Sequence, residues 1–184
     1  MDDHALWLEE SYSNLRILLL EALQAGLFIS PDVTWRPHDS GEILYFADRV
    51  FGVERPAVLV LAREITESLV KESVESDFRS YIVVGATVGS GVALGKARNI
   101  RTERVSKLDL GEHYWGIFAL QDAVLVTLGS PLSWCRLVGE VMNAQMPAPF
   151  VQRKICNNCM EINEYHASVC MNCKYPLTLT GKLG

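Results

Sequence analysis

The sequence has no long hydrophobic run. Its most apolar stretch, residues 80–95, is sixteen residues long and carries four glycines, whereas a membrane-spanning helix needs ~20 apolar residues. No basic amino-terminal segment leads into an apolar stretch with a small-residue cleavage site, so a secretory leader is not expected. Histidine is scarce: His4, His38, His113 and His166 are scattered, and none belongs to a nucleophile or carboxylate motif. Basic residues are few, with 17 Lys and Arg against 22 Asp and Glu. The deficit sits at the front, where residues 1–77 hold 15 acids and 6 bases, while 78–150 and 151–184 each come to +2. Bulk nucleic-acid binding works by neutralising many phosphates, and an acidic front argues against it. Cysteine is nearly absent before the tail, where Cys135 stands alone. That excludes a disulfide framework and suits a reducing cytoplasm.

What is present is ordinary globular composition, 49% hydrophobic and 21% charged over 184 residues. That length allows one domain with a small satellite, or two small domains. Residues 4–25 predict a helix, because Leu8, Tyr12, Leu15, Leu19, Ala22 and Leu23 recur at spacings of three and four. Gly26 and Pro31 end it, and residues 30–41 read as a loop or linker. Glu42–Phe51 fits a short helix with Ile43, Phe46, Ala47 and Val50 on one face. The run Ala57–Leu61 fits a buried strand, and Thr66–Ser76 fits either a strand or a short helix. Asn99–Leu108 alternates as a strand and holds Arg101, Arg104 and Lys107, which with Arg98 form the one basic cluster; it suits a solvated face or an acidic partner surface. His113–Leu120 and Ala123–Leu128 read as strands joined by a turn at Gln121 and Asp122. Leu132–Gln145 closes as an amphipathic helix with Leu132, Leu137, Val138, Val141 and Met142 inward, and with Cys135 as a core thiol. Pro147, Ala148 and Pro149 form a stiff linker. Three units are expected: a helix and linker over 1–40, an α+β domain over 41–146 and a small unit over 147–184.

The segment Tyr81–Lys96 is rich in glycine. It fails as a phosphate-binding loop, since Ser90 falls where the first glycine belongs and Ala97 where magnesium needs a hydroxyl. Gly89, Gly91 and Gly95 give a spacing one residue too long for a dinucleotide fingerprint. Tyr81–Ala97 is expected to be a helix whose Gly85, Gly89 and Ala93 let a second copy or a partner approach closely. No cofactor other than a metal is expected, and no residue is assigned a catalytic role.

The metal expectation comes from the tail. Cys156 and Cys159 are separated by two residues, Cys170 and Cys173 likewise, with ten residues between the pairs. Two residues between cysteines let a tight turn aim both sulfurs at one ion, and ten allow a hairpin that sets the turns opposite each other. Four thiolates complete the tetrahedral shell of zinc and leave no position for water, so the metal is expected to be structural. His166 is a substitute ligand with no vacancy to fill. Asn158 and Asn172 each precede a second cysteine, giving a near two-fold repeat.

With Lys154, Asn163, Ala167 and Leu177, these cysteines resemble the short zinc-ribbon domains appended to many bacterial and archaeal proteins, and their spacing is similar to that of small zinc-binding ribosomal proteins. Members often carry glycine after each second cysteine, where Met160 and Lys174 stand here. The element order from Thr102 to Asn143, strands followed by a closing amphipathic helix, resembles the Roadblock/dynein-light-chain family. The fold class expected is α+β, an antiparallel sheet with packed helices plus a carboxy-terminal zinc ribbon. The resemblance implies a non-enzymatic cytoplasmic adaptor, dimeric, acting as a scaffold or as a regulator of a small GTPase, with the ribbon as a docking module. A nucleic-acid-associated protein and a structural subunit of a larger particle are the alternatives. No membrane partner is expected.

Overall fold

The computed structural model describes residues 3–30, 33–50, 52–73, 78, 80–89, 114–129, 133–146, 149–156, 158–159 and 161–177. Helix α1 (Asp3–Ala25) ends in a left-handed residue, Leu27, with φ of 62°, and Phe28 N–H closes on Leu23 O at 2.9 Å. Tyr12, Leu15, Leu19 and Leu23 are buried in a row along it, the stripe that the periodicity marks. Eight strands follow in one sheet whose spatial order is the chain order. They are β1 (Arg36–His38), β2 (Gly41–Val50), β3 (Val53–Ile65), β4 (Ser80–Val88), β5 (Tyr114–Ala119), β6 (Val124–Gly129), β7 (Val151–Ile155) and β8 (Ile162–Glu164). Two further helices are described, α2 (Glu67–Ser73) between β3 and β4, and α3 (Ser133–Gln145) between β6 and β7.

The fold is α+β, as the element types predict, but the sheet is mixed. Four pairings are antiparallel, while β3 with β4, β4 with β5 and β6 with β7 run parallel. Parallel neighbours need long crossovers, and α2 and α3 lie on two of these connections. The sheet is covered on both faces. One core gathers α1, α3 and Leu44, Leu59, Leu61, Ile82, Val84, Phe118 and Leu125. The other gathers α2 and Ile43, Val58, Val60, Tyr81, Val83, Ile117, Val126 and Ile155. At ~1.5–3 kcal/mol for each large apolar side chain removed from water, burial on two faces dominates the stability of the central strands.

That double burial overturns two expectations. Glu42–Phe51 is not a helix: Gly41–Val50 is strand β2, paired with β3 from Gly41↔Ala62 to Val50↔Val53. The helical spacing of Ile43, Phe46, Ala47 and Val50 is coincidental, since adjacent Ile43 and Leu44 are both fully buried, on opposite faces. Tyr81–Ala97 does not begin as a helix either. Ser80–Val88 is the interior strand β4, and Gly85 leaves room for Ile65, whose Cγ1 would lie 2.2 Å from an added Cβ. A strand inside the sheet has no free face for a second copy, so the close approach inferred for that segment fails there; residues 90–97 lie outside the described residues, as does the strand expected at Asn99–Leu108 with its basic cluster.

Other segments follow expectation or decide between alternatives. Within the segment read as strand or short helix, Glu67–Ser73 forms helix α2, whose first turn is capped by Thr66 Oγ1 accepting Leu69 N–H at 3.3 Å, while residues 74–76 lie outside the described residues. The loop 30–41 contains the three-residue edge strand β1, where Pro37 is tolerated because an edge leaves one row of N–H groups unpaired. Strands β5 and β6 and helix α3 stand where they were read, with Trp134 Nε1 donating to Ser80 Oγ at 2.7 Å to tie α3 to β4. Pairing runs across residue 40 through β1 and β2, and across residue 146 through β6 and β7. Among the described residues, no helix is long and apolar enough to cross a membrane.

Candidate metal centre

The last strands of the sheet carry the cysteine cluster. Strand β7 runs parallel to β6 and then turns back through Cys156 and Cys159 into β8, with Lys154 opposite Asn163 and Ile155 opposite Ile162. Cys156 N–H donates to Glu161 O at 2.9 Å, closing the first turn. The second turn, Cys170 to Cys173, is closed by Lys174 N–H on Cys170 O and by Cys170 N–H on Tyr175 O, at 2.9 and 2.8 Å. Lys174 takes φ of 63°. The residue after the second cysteine of this pair is thus left-handed, a conformation that glycine adopts more readily than lysine.

All four sulfurs lie within 4.8 Å of one another. Cys156 Sγ is 3.7 Å from Cys173 Sγ, and Cys159 Sγ is 3.5 Å from Cys170 Sγ. Disulfide sulfurs stand at about 2.0 Å, so these are free thiols. A tetrahedral ion with Zn–S bonds of about 2.3 Å separates its sulfurs by about 3.8 Å, and the cluster fits that size. The four cysteines therefore can hold one metal ion in a ribbon-type site.

Polar hydrogens converge on the sulfurs. Asn158 donates its backbone N–H to Cys156 Sγ and its side-chain amide to Cys173 Sγ, both at 3.4 Å. Asn163 Nδ2 reaches Cys170 Sγ at 3.5 Å, while its Oδ1 accepts Met171 N–H at 2.9 Å. Burial pushes the Cys170 thiol up, but the N–H of Cys173, the Asn163 amide and the N–H of Asn172 outweigh it and hold the group at about 6. Cys173 is also lowered, first by Asn158. Cys156 is pushed up to about 11 by burial, against the N–H groups of Cys159 and Asn158. A divalent cation between them would hold all four as thiolates, and the amide donors would orient them.

The sequence picks out all four of the clustered cysteines and the pseudo-symmetry of the turns. The Asn172 backbone N–H supports Cys170 much as that of Asn158 supports Cys156. It names Asn163 only within the ribbon resemblance and gives it no role, since its place beside Cys170 depends on the pairing of β8 with β7. His166 is exposed against the Tyr165 ring and is not part of the cluster. Cys135 is fully buried on α3, away from it. Compared with protein-family models, curated proteins and solved structures, the chain matches none.

Proposed function

We propose that this chain is a non-enzymatic, self-associating interaction protein in which Cys156, Cys159, Cys170 and Cys173 hold one structural zinc ion. The closed set of four thiols carries the reading. Thiolate donors at tetrahedral spacing suit zinc, and they leave no coordination position for a substrate. The same turns hold their apolar side chains outward: Met171 is 71% exposed, Val169 47% and Tyr175 43%. An ion that fixes an exposed apolar edge suits a docking module, and the partner proposed for it is a second copy of the chain. The narrower form of this reading, a Roadblock-like adaptor acting on a small GTPase, rests on the order β5, β6, α3 alone.

Native mass spectrometry of freshly purified protein is expected to give one zinc per chain, and sedimentation velocity a dimer. Met171→Glu combined with Tyr175→Glu should yield a monomer that keeps its zinc. A metal-free wild type removes the first half of the reading, and a monomeric wild type removes the second.

A further inference from the structure

At the opposite end of the sheet from the cysteines, a polar cavity of about 440 Å³ opens between α1, the β1–β2 turn and the end of β3. Most of its charge is already paired. Arg16 Nε donates to Glu42 Oε2 at 2.7 Å. His38 Nδ1 accepts Ser40 N–H at 3.1 Å, which places the ring proton on Nε2, 3.4 Å from Glu72 Oε2. Two lining charges remain without an ion pair among the described residues. The Arg63 guanidinium lies 5.1 Å over the Tyr12 ring, and the Asp39 carboxylate has no hydrogen-bond or ionic partner among the described residues. Their backbones are neighbours, since Arg63 N–H donates to Ser40 O at 3.1 Å, yet the two side chains do not meet.

The Arg63 guanidinium and the backbone turn that carries Asp39 are positioned before any ligand arrives. Asp39 sits in a turn fixed on one side by His38 against Glu72 and on the other by Ser40 Oγ against Thr66 Oγ1 at 2.8 Å. Arg63 is fixed by the Tyr12 ring and by Thr87 Oγ1 donating to its carbonyl at 3.1 Å. Preorganised groups bind at lower entropic cost. A simple anion would satisfy Arg63 and face Asp39; a simple cation would do the reverse. A ligand with one charge of each sign satisfies both, and a guanidinium binds a carboxylate through paired N–H donors. Small-molecule pockets run from about 300 to 1,000 Å³, so the cavity has room for a side chain beside Ser13 and Ile17.

We propose that this cavity binds a free α-amino acid, with its carboxylate on Arg63 and its ammonium group on Asp39. The site is independent of the cysteine cluster. The test is calorimetric titration of the full chain with each of the twenty amino acids at millimolar concentration, with acetate and methylammonium as controls. At least one amino acid is expected to bind saturably, and more tightly than either control. Arg63→Gln and Asp39→Asn should each weaken that binding roughly tenfold or more, while both variants stay fully folded by their unfolding curves because both side chains are exposed. Absence of binding by every amino acid overturns the proposal, and so does acetate binding as tightly as the best of them. Unchanged affinity in Asp39→Asn overturns it equally.

Discussion

The central strand β4 and the cysteine turns keep their places by opposite means. Strand β4 sends Ile82, Val84 and Ala86 into one core and Tyr81 and Val83 into the other, and water reaches only its last residues. The turns leave Val169, Met171 and Tyr175 exposed, and β8 adds only three residues of pairing. Burial is sufficient to hold β4. The turns bury little and are held by amide-to-sulfur hydrogen bonds and by one shared strand, β7. Because Ile155 of that strand lies in the same core as Val126 and Ile117, the cysteine turns and the buried core meet there.

The largest effect should come from removing the metal. Cys170→Ala, or a strong chelator, is expected to unfold the turns, because folding free energy in such units is largely metal-binding free energy. Through β7 it should also lower the melting temperature of the sheet, at a total cost above ~4 kcal/mol. Hydrogen exchange at Lys154, opposite Asn163, and at Val126, opposite Arg153, reads the coupling. If Val126 stays fully protected while Lys154 exchanges, the two regions are separate after all.

The complementary change is Leu59→Ala, in the middle of β3 with no exposed surface. It should cost ~2–5 kcal/mol by denaturant unfolding and leave one zinc per chain by mass spectrometry. Loss of metal in that variant would show that the sheet holds the turns, rather than the ion.

A smaller effect, of opposite sign, is expected at Tyr114. Its hydroxyl is buried with no hydrogen-bond partner among the described residues, and burial first, then Cys135 and Tyr165, raises its pKa well above the usual phenol value. Tyr114→Phe should stabilise the fold by ~1 kcal/mol. A folded pKa above the unfolded one means that the wild type keeps its stability below pH ~10 and loses it as pH rises through that value. The gap between wild type and variant, read by urea unfolding, should therefore widen in alkali. A gap independent of pH would remove the titration argument.

The smallest effect tests the turn itself. Lys174→Gly places glycine at a φ of 63° and should stabilise the ribbon by roughly 0.5–1 kcal/mol. A chelator competition should then show tighter metal retention. Weaker retention would mean that Lys174 Nζ on Met171 O, at 2.9 Å, matters more than the backbone.

Polar groups sharpen the same contrast. Near the sulfurs, the Asn158 and Asn163 amides are spent on Cys173 and Cys170. On β7, opposite Asn163, Lys154 is 2% exposed with no hydrogen-bond partner for Nζ among the described residues, and Nζ lies 6.0 Å from the Tyr165 ring; burial lowers its pKa. A buried ammonium without a partner is costly, and the position marks where the ribbon meets the core.

What the sequence determined by itself was local. The four-cysteine cluster was legible because two-residue spacing within each pair and ten residues between the pairs let the four sulfurs converge. Helices α1 and α3 were legible because a one-sided core writes a spacing of three and four into a long segment. The β5–β6 hairpin was legible because its turn is short and polar. Tertiary structure alone decided the rest. A strand buried on both faces carries no alternation, so β2 and β4 lack the period that distinguishes a strand from a helix. Parallel partners are supplied by distant segments, so nothing near Ser80 specifies Ala57, and nothing near Val151 specifies Val124. Asn163 meets Cys170, and Asp39 comes beside Arg63, only because the sheet sets their strands and turns side by side.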